Sequence, residues 1–416
     1  MLALEYYRSI PRYLLAKSLS SLFPRRFFPW AVPLRLKQVA FSKPRRDWVV
    51  LRPLLCGICG SDLNLLRGVE SYLLEPYASF PCILGHEVVA EVVEAPAESG
   101  FSPGERVAVE PILACRARGG APCRFCARGD YNLCERFIQG ELPPGVILGF
   151  TNRAGGGLAE LMAAPPENLF RLPPHLNDET AVLTDSLASA LQPVLDNFPP
   201  DAATVVIYGA GIIGQHLVRG LRALGCGARL VMVARYPFQE RLAMAGGADL
   251  VLMQPTRRQL GEALGCTFLP TTLGGGNLEG GADFFFDCVG SKNSLQSGLL
   301  ALRARGTLVL VGTAGAVGSF DISSLWFREL RVTGSAMYAY ANVRGERRRT
   351  YQVAVDLLAG GSFPAAGLLT HTFPLPEYRQ VFQTALDKRR HECVKVAVDL
   401  RQKPGRTEAA SKRKFS

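Results

Sequence analysis

The chain is predicted to fold as an α/β protein in which a parallel, helix-covered sheet is set into a β-rich unit. Three observations predict it. From about Leu34 onward, short apolar runs alternate with Gly/Pro turns, as at Trp48–Val50, Val88–Val93 and Arg106–Val109. Such text reads as short strands. After Pro199 and Pro200 the pattern becomes apolar strand, glycine turn, helix and strand again. Buried strands are expected at Thr204–Tyr208, Leu230–Ala234, Phe284–Cys288 and Thr307–Val311, a succession that argues for parallel strands with helices on both faces. From Gly334 the texture is mixed again and ends in Lys395–Leu400.

Ahead of the first unit, residues 1–35 mix aromatics, arginines and prolines, with a short amphipathic helix expected over Tyr13–Phe23. A further helix is expected over Thr180–Leu195, and the last 16 residues read as a solvated tail. With 416 residues, 48% of them apolar and 20% charged, the chain can build about two packed domains. No run reaches the ~20 apolar residues of a membrane-crossing helix. No apolar stretch with a small-residue cleavage site marks a secretory leader.

The net charge of +11 lies at the ends. Residues 1–46 carry +9 and residues 401–416 carry +5, so the body between them is −3. The high pI therefore says nothing about an active site. The basic ends have two readings, contact with an anionic membrane surface or a packed N-terminal arm with a solvated tail. The second is preferred, and nucleic acid is not expected as a partner.

Gly209, Gly211 and Gly214 form G-x-G-x-x-G, with Ala210, Ile212 and Ile213 between them. The pattern alone is weak. Its context is not, because the strand Thr204–Tyr208 precedes it and Leu217, Leu221 and Leu224 mark one face of a helix after it. Strand, glycine turn and helix bring backbone N–H groups and a positive helix end against a pyrophosphate. An acid at the end of the second strand would select NAD; here Ala234 and Arg235 stand there. An arginine fork can grip a 2′-phosphate, so NADP(H) is favoured over NAD(H). Arg241 is a further candidate cofactor contact.

Two residue sets suit metals. Cys115, Cys123, Cys126 and Cys134, at Cys-x7-Cys-x2-Cys-x7-Cys, can close a tetrahedral zinc shell of structural type. Arg116, Arg118, Arg124 and Arg128 lie where they can offset the thiolate charge. The other seven of the 11 cysteines are dispersed, which with no leader points to a reducing, cytoplasmic setting. The second set is scattered: Cys59 in Gly57-Ile-Cys-Gly-Ser-Asp62, and His86 in Gly85-His-Glu87. A catalytic zinc needs three mixed ligands and an open position. Asp185 is a candidate third ligand, with a helix N-cap as its alternative role.

With Trp326-Phe-Arg-Glu-Leu330 and Gly334-Ser335, these motifs resemble the zinc-dependent branch of the medium-chain dehydrogenase/reductases, which includes alcohol, sorbitol and threonine dehydrogenases. The resemblance spans roughly residues 36–400, with every motif in order. It implies a GroES-like catalytic domain from residues 36–190 and 325–400, carrying the zinc lobe at 115–134. Into it is inserted a Rossmann coenzyme domain at 191–324. Residues 1–35 form an extension and 401–416 a tail. It implies that Cys59 and His86 bind the catalytic zinc and that the third ligand falls on Asp185. Glu87 matches a carboxylate that can approach the metal, and Asp62 one that orients the bound histidine. It also implies a dimer or tetramer.

Three features depart from the family pattern. The first gap in the four-cysteine lobe is five residues longer than usual, Asn64 stands where a relay histidine is common, and the first 35 residues have no counterpart. The expected chemistry is hydride transfer between NADP(H) and an alcohol or carbonyl carbon, of a secondary alcohol, polyol or sugar. Two zinc ions per chain are expected, one of them a Lewis acid, and Ser61 carries the proton. The alternatives are an NAD-dependent enzyme of the same family and a non-catalytic zinc protein on the same fold.

Overall fold

The computed structural model describes residues 1–312 and 315–402. Its parallel sheet has six strands in the order Leu250–Met253, Arg229–Ala234, Thr204–Tyr208, Ala282–Asp287, Leu302–Leu310 and Arg331–Gly334. Every neighbouring pair is parallel. The order reverses at Thr204–Tyr208, so its C-terminal end is a topological switch point where a ligand crevice opens. Val205, Val206 and Ile207 are fully buried, which is why a continuous apolar run marks this strand.

Two of the six strands are absent from the sequence reading. Leu250–Met253 is a four-residue apolar run that is only half-buried, and Arg331–Gly334 is exposed along its length, so neither is an inner strand. The sheet thus takes its last strand from beyond residue 324. The helix expected over Thr180–Leu195 is two, Asp178–Ala181 and Thr184–Asp196, with Asn177 capping the first through Thr180 N–H at 2.8 Å.

The β-rich unit is built on a sheet running Leu369–Pro374, Lys395–Asp399, Val49–Gly57, Glu87–Glu94, Arg106–Val109 and Leu169–Arg171, with Met162–Ala164 also paired to Val49–Gly57. Two of these strands come from beyond the parallel sheet, so the chain returns to finish the first unit. A three-stranded sheet lies beside it. Its middle strand, Leu2–Tyr6, pairs with Leu34–Gln38 and Cys82–Ile83. Regular strand structure therefore starts at Leu2 rather than near Leu34, and the N-terminal arm is packed.

The helix expected over Tyr13–Phe23 is Ile10–Leu22. Tyr13 donates to the Gly68 carbonyl (3.2 Å) and Lys17 to the Tyr72 hydroxyl (2.7 Å), which holds the helix beside Gly60–Arg67. The tail expectation falls on residues 403–416, outside the described residues. No helix among the described residues is long and apolar enough to cross a membrane.

Candidate active site and metal centres

The central strand Val49–Gly57 delivers Cys59 to the site. Beyond its end, Ile58 N–H donates to the Val396 carbonyl (2.9 Å), and Cys59 then caps the helix Gly60–Arg67. Asp62, in that helix's first turn and fully buried, accepts the Cys59 N–H through Oδ2 at 2.9 Å. Its other oxygen faces His86 Nδ1 at 3.7 Å, an electrostatic contact too long for a hydrogen bond. The opposite ring nitrogen, Nε2, lies 3.4 Å from Ser61 Oγ.

Glu87 opens the next strand directly opposite Gly57. A Cβ on Gly57 would come within 2.2 Å of Glu87 Oε2, so only glycine leaves room for this carboxylate. The metal-binding atoms of Cys59, His86 and Glu87 all lie within 4.8 Å of one another. A thiol, an imidazole and a carboxylate, all converging on one point, form a donor set that fits zinc with an open position.

Asp185 lies outside this trio. It is 6% exposed at the start of Thr184–Asp196, and Oδ1 accepts a hydrogen bond from Tyr338 Oη. Burial first, and then the Glu87 charge, push its carboxyl up to about 6. Burial pulls the His86 imidazole down, but Asp62 and then Cys59 outweigh it and hold it up to about 10. The Asp185 shift reports burial first, and the His86 shift the carboxylate and thiol beside it.

The four lobe cysteines also bring their sulfurs within 4.8 Å of one another, with Cys115 Sγ and Cys134 Sγ 3.5 Å apart. The longer first gap therefore does not prevent closure. The sulfurs accept backbone N–H groups, Cys123 N to Cys115 Sγ at 3.3 Å and Arg136 N to Cys134 Sγ at 3.4 Å. The expected arginine offset is narrower than the sequence suggested. Arg116, Arg124 and Arg128 pair with Glu167, Glu135 and Asp130, because these carboxylates reach them on the surface. Arg118 alone of the four is buried. It donates to the Leu113 (3.0 Å), Gln139 (2.9 Å) and Leu142 (3.0 Å) carbonyls and ties the lobe to the following loop.

The glycine turn follows the switch-point strand. Gly209 has φ +107 and donates to the Val233 carbonyl at 3.0 Å. Gly211 caps the helix Ile212–Ala223, and a Cβ there would meet open space. A Cβ on Gly214 would lie 2.0 Å from the Gly209 carbonyl oxygen, so this glycine lets the helix seat against the turn. Ala210 is buried, while Ile212 and Ile213 are half-buried. Ala234 points into the coenzyme-domain core at 2% exposure; Arg235 is exposed beside the Tyr236 ring, 5.6 Å from its centroid. Arg241 lies apart, paired with Glu392 at 3.4 Å.

Sequence reasoning missed several buried polar groups. Lys395, 2% exposed, makes an ion pair with Glu87 and donates to the Ile58 carbonyl at 3.1 Å. A lone cation opening the apolar strand Lys395–Asp399 was the available signal. Tyr338, the partner of Asp185, had none. Glu110 is fully buried against Arg349 and Tyr131. His216, also fully buried, lies 3.1 Å from Ser186 Oγ, and burial pulls its imidazole well below the ordinary value.

Residues 45–174 match the alcohol dehydrogenase GroES-like domain, and residues 213–360 match the zinc-binding dehydrogenase domain. The chain is 28% identical to the erythritol/L-threitol dehydrogenase of Mycolicibacterium smegmatis, over 83% of this chain and 89% of that one. It is 27% identical to human sorbitol dehydrogenase over 84% and 89%. Two solved structures share the fold. One is an alcohol dehydrogenase from Escherichia coli CFT073 complexed with NADH (TM-score 0.69, 23% identity, 88% and 96% covered). The other is a putative zinc-binding dehydrogenase from Sinorhizobium meliloti 1021 bound to NADP (TM-score 0.69, 24% identity, 95% and 99% covered). With both domains matched in order and the metal-binding trio and lobe assembled, the chain belongs to the zinc-containing medium-chain alcohol dehydrogenase family and is an alcohol/polyol dehydrogenase-like oxidoreductase.

Proposed function

We propose that this oxidoreductase moves a hydride between NADP(H) and the carbinol or carbonyl carbon of a polyol-like secondary alcohol. Cys59, His86 and Glu87 would hold the catalytic zinc and Cys115, Cys123, Cys126 and Cys134 the structural one. When bound, zinc supplies Lewis acidity toward the substrate oxygen, and the nicotinamide supplies the hydride acceptor. The protein's own groups do the rest. Asp62 faces Nδ1 and fixes the His86 ring with Nε2 turned toward Ser61. Ser61 Oγ, beside that nitrogen, is placed to take the hydroxyl proton of the substrate. Lys395 holds Glu87, and Tyr338 holds Asp185, at the rim of the trio.

The polyol class rests on the two curated relatives, which act on erythritol, threitol and sorbitol by their names. The coenzyme preference rests on one observation: the second strand ends in a buried alanine and an exposed arginine, with no carboxylate to meet the ribose. A charge-assisted hydrogen bond from Arg235 to a 2′-phosphate contributes about 1.5–3 kcal/mol, or roughly 10- to 150-fold in affinity. Isothermal titration of NADP and NAD against the protein and its Arg235→Ala variant tests this. The variant should weaken NADP and leave NAD nearly unchanged; equal or tighter NAD binding by the unmodified protein overturns the preference.

A further inference from the structure

We propose that Arg25, from the N-terminal arm, and Arg389, from the helix Lys388–His391, join Arg235 as a three-guanidinium clamp for the 2′-phosphate of NADP(H). The inference rests on the NADP(H) reading and assigns the arm a coenzyme-binding role.

A cavity of about 310 Å³ is lined by Arg25, Arg235, Tyr236, Pro237, Gln254 and Arg389. The three arginines come from three separate parts of the chain: the arm, the end of the second parallel strand, and the turn before the last strand. No carboxylate lines the cavity. None of the three arginines has an acidic partner among the described residues, whereas nearby Arg241 and Arg222 pair with Glu392 and Asp249. Like charges gathered without a counter-charge repel one another, and an anion placed among them removes that cost. A phosphate monoester dianion fits, because each guanidinium offers a planar fork to its oxygens.

The backbone behind the clamp is fixed. One side chain, Gln383, accepts the Phe27 N–H (3.0 Å) and donates to the Arg25 carbonyl (2.9 Å), so it brackets the arm on either side of Arg26. Phe27 anchors the same segment, with its ring 5.3 Å from that of Phe382. On the coenzyme side, Gln239 accepts the Arg235 N–H at 3.1 Å and Gln254 donates to its carbonyl at 3.5 Å. The cavity also stands at the coenzyme end of the sheet, because Val233, two residues before Arg235, binds the first glycine of the phosphate turn. Arg25 and Arg389 belong to the catalytic side and Arg235 to the coenzyme side, so a phosphate held by all three ties the two together.

The test is titration calorimetry of 2′,5′-ADP, 5′-ADP and inorganic phosphate against the full chain and its Arg25→Ala, Arg389→Ala and Arg235→Ala variants. The unmodified protein should bind 2′,5′-ADP at least about tenfold tighter than 5′-ADP. Each variant should cut that ratio by about tenfold, the lower end for a charge-assisted hydrogen bond, since all three side chains face solvent. Binding of 5′-ADP should be unchanged, which also shows that the variants are folded. Absence of any preference in the unmodified protein would sink the NADP(H) reading itself. A preference removed by Arg235→Ala but untouched by Arg25→Ala and Arg389→Ala would leave that reading standing and overturn the clamp. Inorganic phosphate binding as tightly as 2′,5′-ADP would also overturn it, making the cavity a free-phosphate site.

Discussion

Replacing Lys395 by methionine should destabilise the protein by about 3–5 kcal/mol. The ammonium is 2% exposed and its partner Glu87 is 1% exposed, so water screens neither charge. Methionine keeps the length and apolar stem of lysine but removes the ion pair and the 3.1 Å hydrogen bond to the Ile58 carbonyl. In chelator-treated, zinc-free protein, the form to be unfolded, the larger effect falls on the carboxylate, which remains buried without a cation; this penalty exceeds what the pair itself contributes. Against a total stability of about 5–15 kcal/mol, such a loss should be plain in urea unfolding monitored by tryptophan fluorescence. Glu87→Leu alone should also be costly, because it strands the ammonium instead. The double variant should lose less than the sum of the two, by up to about 3 kcal/mol, since an apolar pair leaves no buried charge. A Lys395→Met loss under about 1 kcal/mol, or strict additivity in the double variant, would refute the idea that this pair is desolvated and mutually dependent.

Elemental analysis should find two zinc ions per chain; Cys59→Ala should keep one and stay folded, while Cys126→Ala should lose the lobe ion and the lobe's stability. Glu87→Gln should lower the occupancy of the catalytic site more than Asp185→Asn, and the reverse order would make Asp185 the third ligand. His216 is held neutral by burial first and then by the Lys395 and Arg219 charges, so its folded value lies below 6.5. The unfolded chain takes up a proton that the folded one refuses, so this stability is complete above pH 6.5 and is lost as pH falls, by about 1.4 kcal/mol per pH unit. Urea unfolding at pH 7.5, 6.5 and 5.5 should show that slope flattened in His216→Gln; identical slopes would show that His216 does not carry it.

What could be read in the sequence divides along burial and chain distance. Thr204–Tyr208 was legible because its middle residues are buried on both faces and a glycine turn follows. Arg331–Gly334 was not, because an exposed edge strand takes its pairing from the sheet rather than from its own pattern. Leu2–Tyr6 was missed for a related reason: its partners lie about 30 and 80 residues away, and nothing local announces them. The metal residues were legible as chemistry, since cysteine, histidine and carboxylate at characteristic spacings are few. The four lobe cysteines were legible as one group, and Cys59 with His86 through the resemblance, but the carboxylate beside them was not. The resemblance put the third ligand on Asp185 and made Glu87 a carboxylate that can approach the metal, whereas in the structure it is Glu87 whose donor atom lies within 4.8 Å of those of Cys59 and His86.

That approach follows from strand register. Lys395–Asp399, Val49–Gly57 and Glu87–Glu94 lie side by side, with Ala397 opposite Gly57 and Gly57 opposite Glu87. All three strands therefore present their site ends on one edge of the sheet. The middle one stops at a glycine, and the Glu87 side chain occupies the space a Cβ would need. Lys395 reaches the same place from the other neighbour and fixes the carboxylate there. Cys59 comes two residues after Gly57, His86 one residue before Glu87, and Lys395 two residues before Ala397, so a single register sets all four groups at once. A one-residue slip in either pairing would turn Glu87 or Lys395 to the opposite face and dismantle the trio. The long β ladder of this unit is thus what determines the geometry of its metal centre, although the ligands themselves sit at or just beyond the strand ends.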